Sequence, residues 1–204
     1  MSNQNLKKGI AKIGYAMVKD TSTFEYDQVV WFESEVSGGR EYSAEPNGET
    51  TEIYADGISV YAAEDNNGYD INLILLAIID DIETKWLGNS ATTNGGIVEV
   101  SKPETRPKFA LIMIEETTNG NGETTIYYNC CVAKRPKKSG KTSEGKFDPQ
   151  FPEFSINARP RPTDKWVRAT LPQKEQFNTI PEVQIAESTT EPEGEQTEPT
   201  GSEG

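Results

Sequence analysis

Between Tyr54 and Gly88 the chain alternates apolar with polar positions, then stops alternating. Ile58, Val60 and Ala62 fall on one face at period two, and Asn66-Asn67-Gly68 offers the positive-φ backbone of a hairpin turn. Tyr69, Ile71, Leu73 and Leu75 then form an apolar face against Asp70 and Asn72. From Leu73 to Ile79 both faces are apolar, which predicts a strand whose far end is covered twice. Asp80 or Asp81 can cap a short helix with the stripe Ile79, Ile82 and Trp86, Lys85 in its last turn and Gly88 as its stop.

The same reading extends along the chain. Lys12–Lys19 predicts a strand with Ile13, Tyr15 and Met17 on one face, preceded by a polar extended arm. Asp27–Val36 predicts a second strand. Ser37–Thr51, rich in Gly, Glu and Ser, predicts a long loop of the kind that is usually functional or mobile. Asn89–Gly96 is turn-rich. Lys108–Glu116 predicts a strand buried on both faces, Asn119-Gly120-Asn121-Gly122 a hairpin turn, and Thr124–Ala133 the return strand. Lys134–Lys146 predicts a basic loop. Phe154–Arg159 and Lys165–Thr170 predict a last strand pair joined through Pro160, Pro162 and Asp164. Many short strands and one short α-helix predict a mainly β fold, a β-sandwich or partly closed barrel with the helix on its flank.

Composition divides the chain. The net charge is -13 and the mean hydropathy -0.67. The stretch from Pro181 onward has seven Glu and no Lys or Arg, leaving -6 for residues 1–180 (20 basic, 26 acidic). This predicts a folded domain over 1–171 and an acidic, flexible tail over 172–204, with 187–204 disordered because it has so little to bury. No window is apolar for long enough to span a bilayer, and the N-terminal stretch lacks the uninterrupted apolar run of a signal peptide.

Candidate chemistry is sparse. The absence of histidine removes His-dependent nucleophilic catalysis and His-ligated metal sites, and Cys130 and Cys131 are too few for four-thiolate zinc. Ser139-Gly140-Lys141-Thr142 imitates the end of a phosphate-binding loop, but Arg135 stands where the motif needs glycine. Asp80/Asp81, Glu115/Glu116 and Asp65 with Asp70 are carboxylate pairs that a hydrolase could use, yet a helix cap explains Asp80/Asp81 better and the polar end of a strand explains Glu115/Glu116 better. No catalytic, cofactor or metal residue is therefore assigned. Two segments remain as contact candidates: Gly38, Arg40, Glu41, Tyr42, Glu45 and Glu49 in the first long loop, and Lys134, Arg135, Lys137, Lys138 and Lys141 in the basic one. The basic run reads as a solvated face or as a dock for an acidic surface of a second copy.

An ordered series of residues carries a resemblance. Glu49–Gly57 (ETTEIYADG), Trp86-Leu87-Gly88, Phe109-Ala110-Leu111, Tyr127-Tyr128-Asn129-Cys130, Phe154–Ala158 (FSINA) and Trp166–Ala169 (WVRA) resemble the phi13 family of siphophage major tail proteins. The resemblance spans roughly Lys12 to Thr170 and leaves out the acidic tail. It implies a non-enzymatic virion subunit, made in the host cytoplasm, whose β core forms hexameric rings that stack into a tail tube. DNA passes transiently through such a tube, and tape measure, tail-tip and terminator proteins are its implied partners. No membrane partner and no cofactor are implied. It also implies that the Ser37–Thr51 loop reaches the next ring. A soluble β-sandwich module binding carbohydrate or a receptor, with Trp31, Trp86 and Trp166 as sugar-stacking candidates, is the alternative from another class.

Overall fold

The computed structural model describes residues 6–48, 50–55, 58–99, 101, 106–137 and 149–185, with the backbone alone for the strands between 50 and 64. Among the described residues thirteen strands follow one another. They begin with β1 (Lys7–Asp20), β2 (Glu25–Tyr26), β3 (Val30–Trp31), β4 (Gly39–Pro46), β5 (Thr50–Ala55), β6 (Ile58–Glu64) and β7 (Tyr69–Leu75). After a helical turn at Ile82–Trp86 come β8 (Ser90–Ala91), β9 (Ile97–Val98), β10 (Phe109–Thr117), β11 (Gly122–Lys134), β12 (Glu153–Ala158) and β13 (Arg168–Leu171).

Nine of these strands form one antiparallel sheet ordered β2-β1-β10-β11-β12-β7-β4, with β3 added to β1 and β13 to β11. The protein is thus mainly β, and among the described strands no barrel closes. The two sides of the sheet nevertheless approach each other. Gly39 at the start of β4 lies against Ile13 of β1, so closely that an added Cβ would stand 1.9 Å from the Ile13 Cδ1.

The main core fills the concave side. Tyr15, Phe32, Trp86, Phe109 and Phe154 meet there, with the Trp86 indole stacked on Phe109 at 4.3 Å and edge-on to Tyr15 and Phe154. β10 is buried on both faces, as its unbroken apolar run predicts. Its Ile112, together with Ala16, Ile126 and Tyr128, belongs to a second cluster on the opposite side of the sheet. Tyr26, Trp31, Trp166, Phe177 and Ile180 cover that cluster. The β10–β11 hairpin turns where expected, with Gly120 at φ 81°.

Several expectations are corrected. β1 begins at Lys7, so part of the supposed arm is strand, its first residues paired with the end of β10. The Asp27–Val36 strand shrinks to Val30–Trp31, because the chain turns at Glu33, whose carbonyl accepts the Val36 and Ser37 amides. Asn66-Asn67-Gly68 does not fold β6 onto β7: β6 pairs with β5, while β7 lies between β4 and β12. The doubly covered end of β7 is also absent, since the strand stops at Leu75 and Leu76 is exposed.

The helical segment is a wide turn in which the Leu87 N–H reaches the Ile82 carbonyl five residues back (3.2 Å). Asp81 does not cap it. Its carboxylate accepts instead from the Tyr15 hydroxyl (3.2 Å) and the Lys85 ammonium (2.9 Å), partners that outbid the turn's own amides. Gly88 ends the turn at φ 69°, as expected. β12 and β13 are not partners of each other, for both lie along the same side of β11, at Cys130–Lys134 and Thr124–Tyr127 respectively. Finally, the boundary at 171/172 falls inside packed structure, because the chain from Pro172 to Ile180 runs back over the second cluster.

Candidate assembly interface

The segment expected to be a loop over Ser37–Thr51 is mostly the strand β4. Its sequence is polar enough to resemble a loop because only one of its faces meets the core. Tyr42 and Ala44 pack inward, while Glu41, Ser43 and Glu45 stand exposed. Opposite Glu41, Ser43 and Glu45 on β7 are Ile74, Asn72 and Asp70, and opposite these on β12 are Glu153, Ser155 and Asn157, so Ile74 is the one apolar residue among the nine. The outward face of β4–β7–β12 is therefore polar and acidic. Arg159 is bound to Asp70 (2.8 Å) and holds that carboxyl below the usual carboxylate range by its hydrogen bond, against a smaller opposing effect of burial.

The six residues proposed for this contact separate into distinct roles. Gly38 is buried, and its carbonyl accepts the Leu76 amide (3.0 Å). Arg40 lies with its guanidinium 4.0 Å from the Phe151 ring centre. Tyr42 turns its phenol toward Glu115, and burial followed by that hydrogen bond pushes the phenol up. Glu115 is itself buried at the end of the core and bound by Lys7 at 2.6 Å. Glu41 and Glu45 remain on the open face, and Glu49 lies outside the described residues. Deleting Ser37–Thr51 would thus remove a sheet strand rather than a loop.

The projecting element lies just beyond. β5 and β6 form a two-stranded ribbon that pairs with no described strand of the large sheet. It leaves the sheet through a narrow neck. The Asn47 N–H donates to the Gly68 carbonyl (2.8 Å), and the Asn67 N–H donates to the Asn47 carbonyl (2.8 Å). Two residues thus oppose one, a bulge that Gly68 accommodates at φ 108°. A Cβ there would stand 1.9 Å from the Ala158 carbonyl oxygen, so glycine is required for the close approach as well as for the conformation. The Asn47 amide further ties the neck to Asp70 (2.8 Å).

β4 is also an edge: β7 pairs with one of its sides and no described strand with the other. A free row of backbone donors and acceptors is a template for another strand.

The basic segment is divided. Lys134 is the last residue of β11 and is exposed. Arg135 is committed within the chain, to Glu99 (3.0 Å), the Asn89 side chain (2.9 Å) and the Leu87 carbonyl (3.0 Å), so it is not free to dock elsewhere. Lys137 is exposed beside an open 280 Å³ groove lined by Leu76, Ile78 and Phe151. Lys138 and Lys141 lie outside the described residues, as does all of the Ser139–Thr142 motif.

The remaining candidates find structural places. Glu115 and Glu116 point to opposite sides, toward Lys7 and Lys8. Trp86 is deep in the core, while Trp31 and Trp166 are half-buried on the opposite side of the sheet. Among the described residues, no group of three metal-ligating side chains comes together, and no helix is long and apolar enough to cross a membrane. No protein-family model matches the chain, and no curated protein matches it.

Proposed function

We propose that the chain is the subunit of a long, non-contractile bacteriophage tail tube, a structural protein without catalytic activity that assembles with copies of itself into stacked hexameric rings. The observation that carries this reading is the ordered series from ETTEIYADG to WVRA, whose described segments fall on β5, the end of the helical turn, β10, β11, β12 and the start of β13. Two features of the fold support it. One side of the long edge strand β4 meets no described strand, and pairing with a neighbouring copy would satisfy it. A ribbon stands off the sheet on a two-bond neck, which suits contact with the next ring better than it suits the subunit's own stability.

In this reading the sheet is a partly closed barrel, with Gly39 and Ile13 at its seam. The acidic face of β4–β7–β12, carrying Glu41, Glu45 and Glu153, lines the lumen. It repels the phosphates of passing DNA and keeps the duplex from adhering. Assembly is completed by tape measure, tail-tip and terminator proteins, and the mature location is the virion tail. The alternative reading, a carbohydrate- or receptor-binding module, draws on Trp31 and Trp166, which share one cluster with Tyr128.

Sedimentation velocity over a concentration series tests the choice. A tube subunit gives species that grow with concentration without a fixed end point. A single sharp monomer at every concentration, unchanged after addition of a tail-tip complex, opposes the proposal.

A further inference from the structure

The segment after β13 supplies an element that the sequence presents only as the start of a tail. Its Gln173 carbonyl accepts the Thr124 hydroxyl (2.6 Å), and its Lys174 ammonium donates to the Gly120 carbonyl (2.8 Å). Beyond this, the chain passes along the outer side of β3. The Val29 N–H donates to the Asn178 carbonyl (2.8 Å), and the Trp31 indole N–H donates to the Phe177 carbonyl (3.0 Å). The Phe177 ring stands edge-on to Trp31 at 5.4 Å, and the other face of that indole rests on Gly14, where no Cβ would fit. Phe177 and Ile180 complete the second apolar cluster. The contact ends there, and Ile185 is 72% exposed.

β3 pairs with β1 on its inner side, so this strap occupies its outer side. Among the described strands, β4 thus leaves an open edge at one end of the sheet, and at the other end, where β2 and β3 both flank β1, the strap covers the β3 part of the edge. We propose that the strap Gln173–Ile180 guards the β3 edge, and that its release opens a seat for the β4 edge of a second copy. The inference rests on the self-assembling reading above. An open edge at each end of the sheet allows head-to-tail pairing, which either closes into a ring or grows without limit. A strap over one edge makes that pairing conditional. The apparent affinity between copies falls by the fraction of molecules whose strap is off, and a strap closed about nine-tenths of the time weakens association about tenfold.

Three chains and one substitution test this by sedimentation velocity, with hydrogen exchange at the Val29 amide measured in parallel. A chain ending at Ile185 lacks only the acidic extension and associates like the full chain. A chain ending at Leu171 lacks the strap and associates at a concentration about tenfold lower. Trp31→Phe in the full chain keeps the ring but loses the bond to Phe177. It speeds exchange at Val29 and shifts association in the same direction by a smaller factor. The inference is overturned if the chain ending at Leu171 retains its melting transition yet associates like the full chain. It is equally overturned if Trp31→Phe speeds Val29 exchange without moving association, and that variant decides alone should the shortened chain not fold. Tubes from the full chain with no effect of the strap remove this inference and leave the tube reading standing. Strap-dependent association into non-tubular species keeps the inference and removes the tube reading.

Discussion

Excising the ribbon separates folding from assembly. The Asn67 N–H already donates to the Asn47 carbonyl at 2.8 Å, the bond that closes a two-residue turn, so residues 48–66 can be replaced by Asn-Gly without moving the neck. Shortening the connection from nineteen residues to two is about three halvings of loop length, which lowers the closure cost by roughly 2 kcal/mol. Against this stands the loss of the ribbon's own ladder, which is small because an isolated two-stranded hairpin is at best marginally stable in water. The stability of the excised protein therefore stays within about 2 kcal/mol of the parent, and its thermal midpoint within roughly 6 °C. Gly68 is kept, since its φ and the nearby Ala158 carbonyl admit no side chain. Circular-dichroism melts and sedimentation on the same preparation provide the readouts: an unchanged melt, with loss of the large species that the full chain forms. Normal-length tubes from the excised chain would refute the assignment of the ribbon to inter-ring contact. A midpoint lowered by more than about 10 °C would refute the claim that the neck closes on its own.

Two further outcomes test the interior and its electrostatics. Trp86→Ala empties the site where Tyr15, Phe32, Phe109 and Phe154 converge and costs about 3–5 kcal/mol in urea unfolding. Trp86→Phe costs much less, because the indole N–H it removes is buried with no hydrogen-bond partner among the described residues. Asp164 is bound by Arg161; burial acts to raise its pKa, but the Arg161 hydrogen bond and the Trp166 amide outweigh it and leave the carboxyl below the usual range. Its stabilising contribution is present above the ordinary carboxylate pKa and is lost as pH falls through the depressed one. Asp164→Asn therefore flattens the acid limb of stability against pH, and an unchanged limb in acid titrations followed by fluorescence counts against the pairing.

What the sequence disclosed depended on how many faces each strand buries. β10 and β11 were legible because one has an unbroken apolar run, the other alternates, and Asn-Gly repeats mark the turn between them. The face of β7 was legible as well, but its partners were not, because Asn66-Asn67-Gly68 forms a bulge at the neck where a hairpin turn was the simplest reading. β4 escaped notice because an edge strand with one acidic face has the composition of a loop. β12 and β13 look like a pair in sequence because prolines between two strands suggest a tight connection, whereas β11 is long enough to seat both. The strap was missed for a different reason. Two apolar side chains, Phe177 and Ile180, barely change local hydropathy, yet backbone carbonyls supply half the attachment, and these have no sequence signature. Among the candidate contact residues, spacing cannot reveal that Arg135 is spent on Glu99, Asn89 and Leu87 within its own chain.

The most direct measurement of the tube assignment is negative-stain microscopy of the concentrated protein, with class averages of end-on and side views. The account predicts hollow tubes of uniform diameter whose end-on averages show six-fold rings around a stain-filled lumen. Globular particles without a lumen at all concentrations, in the presence of a tail-tip complex that nucleates other tubes, would contradict it.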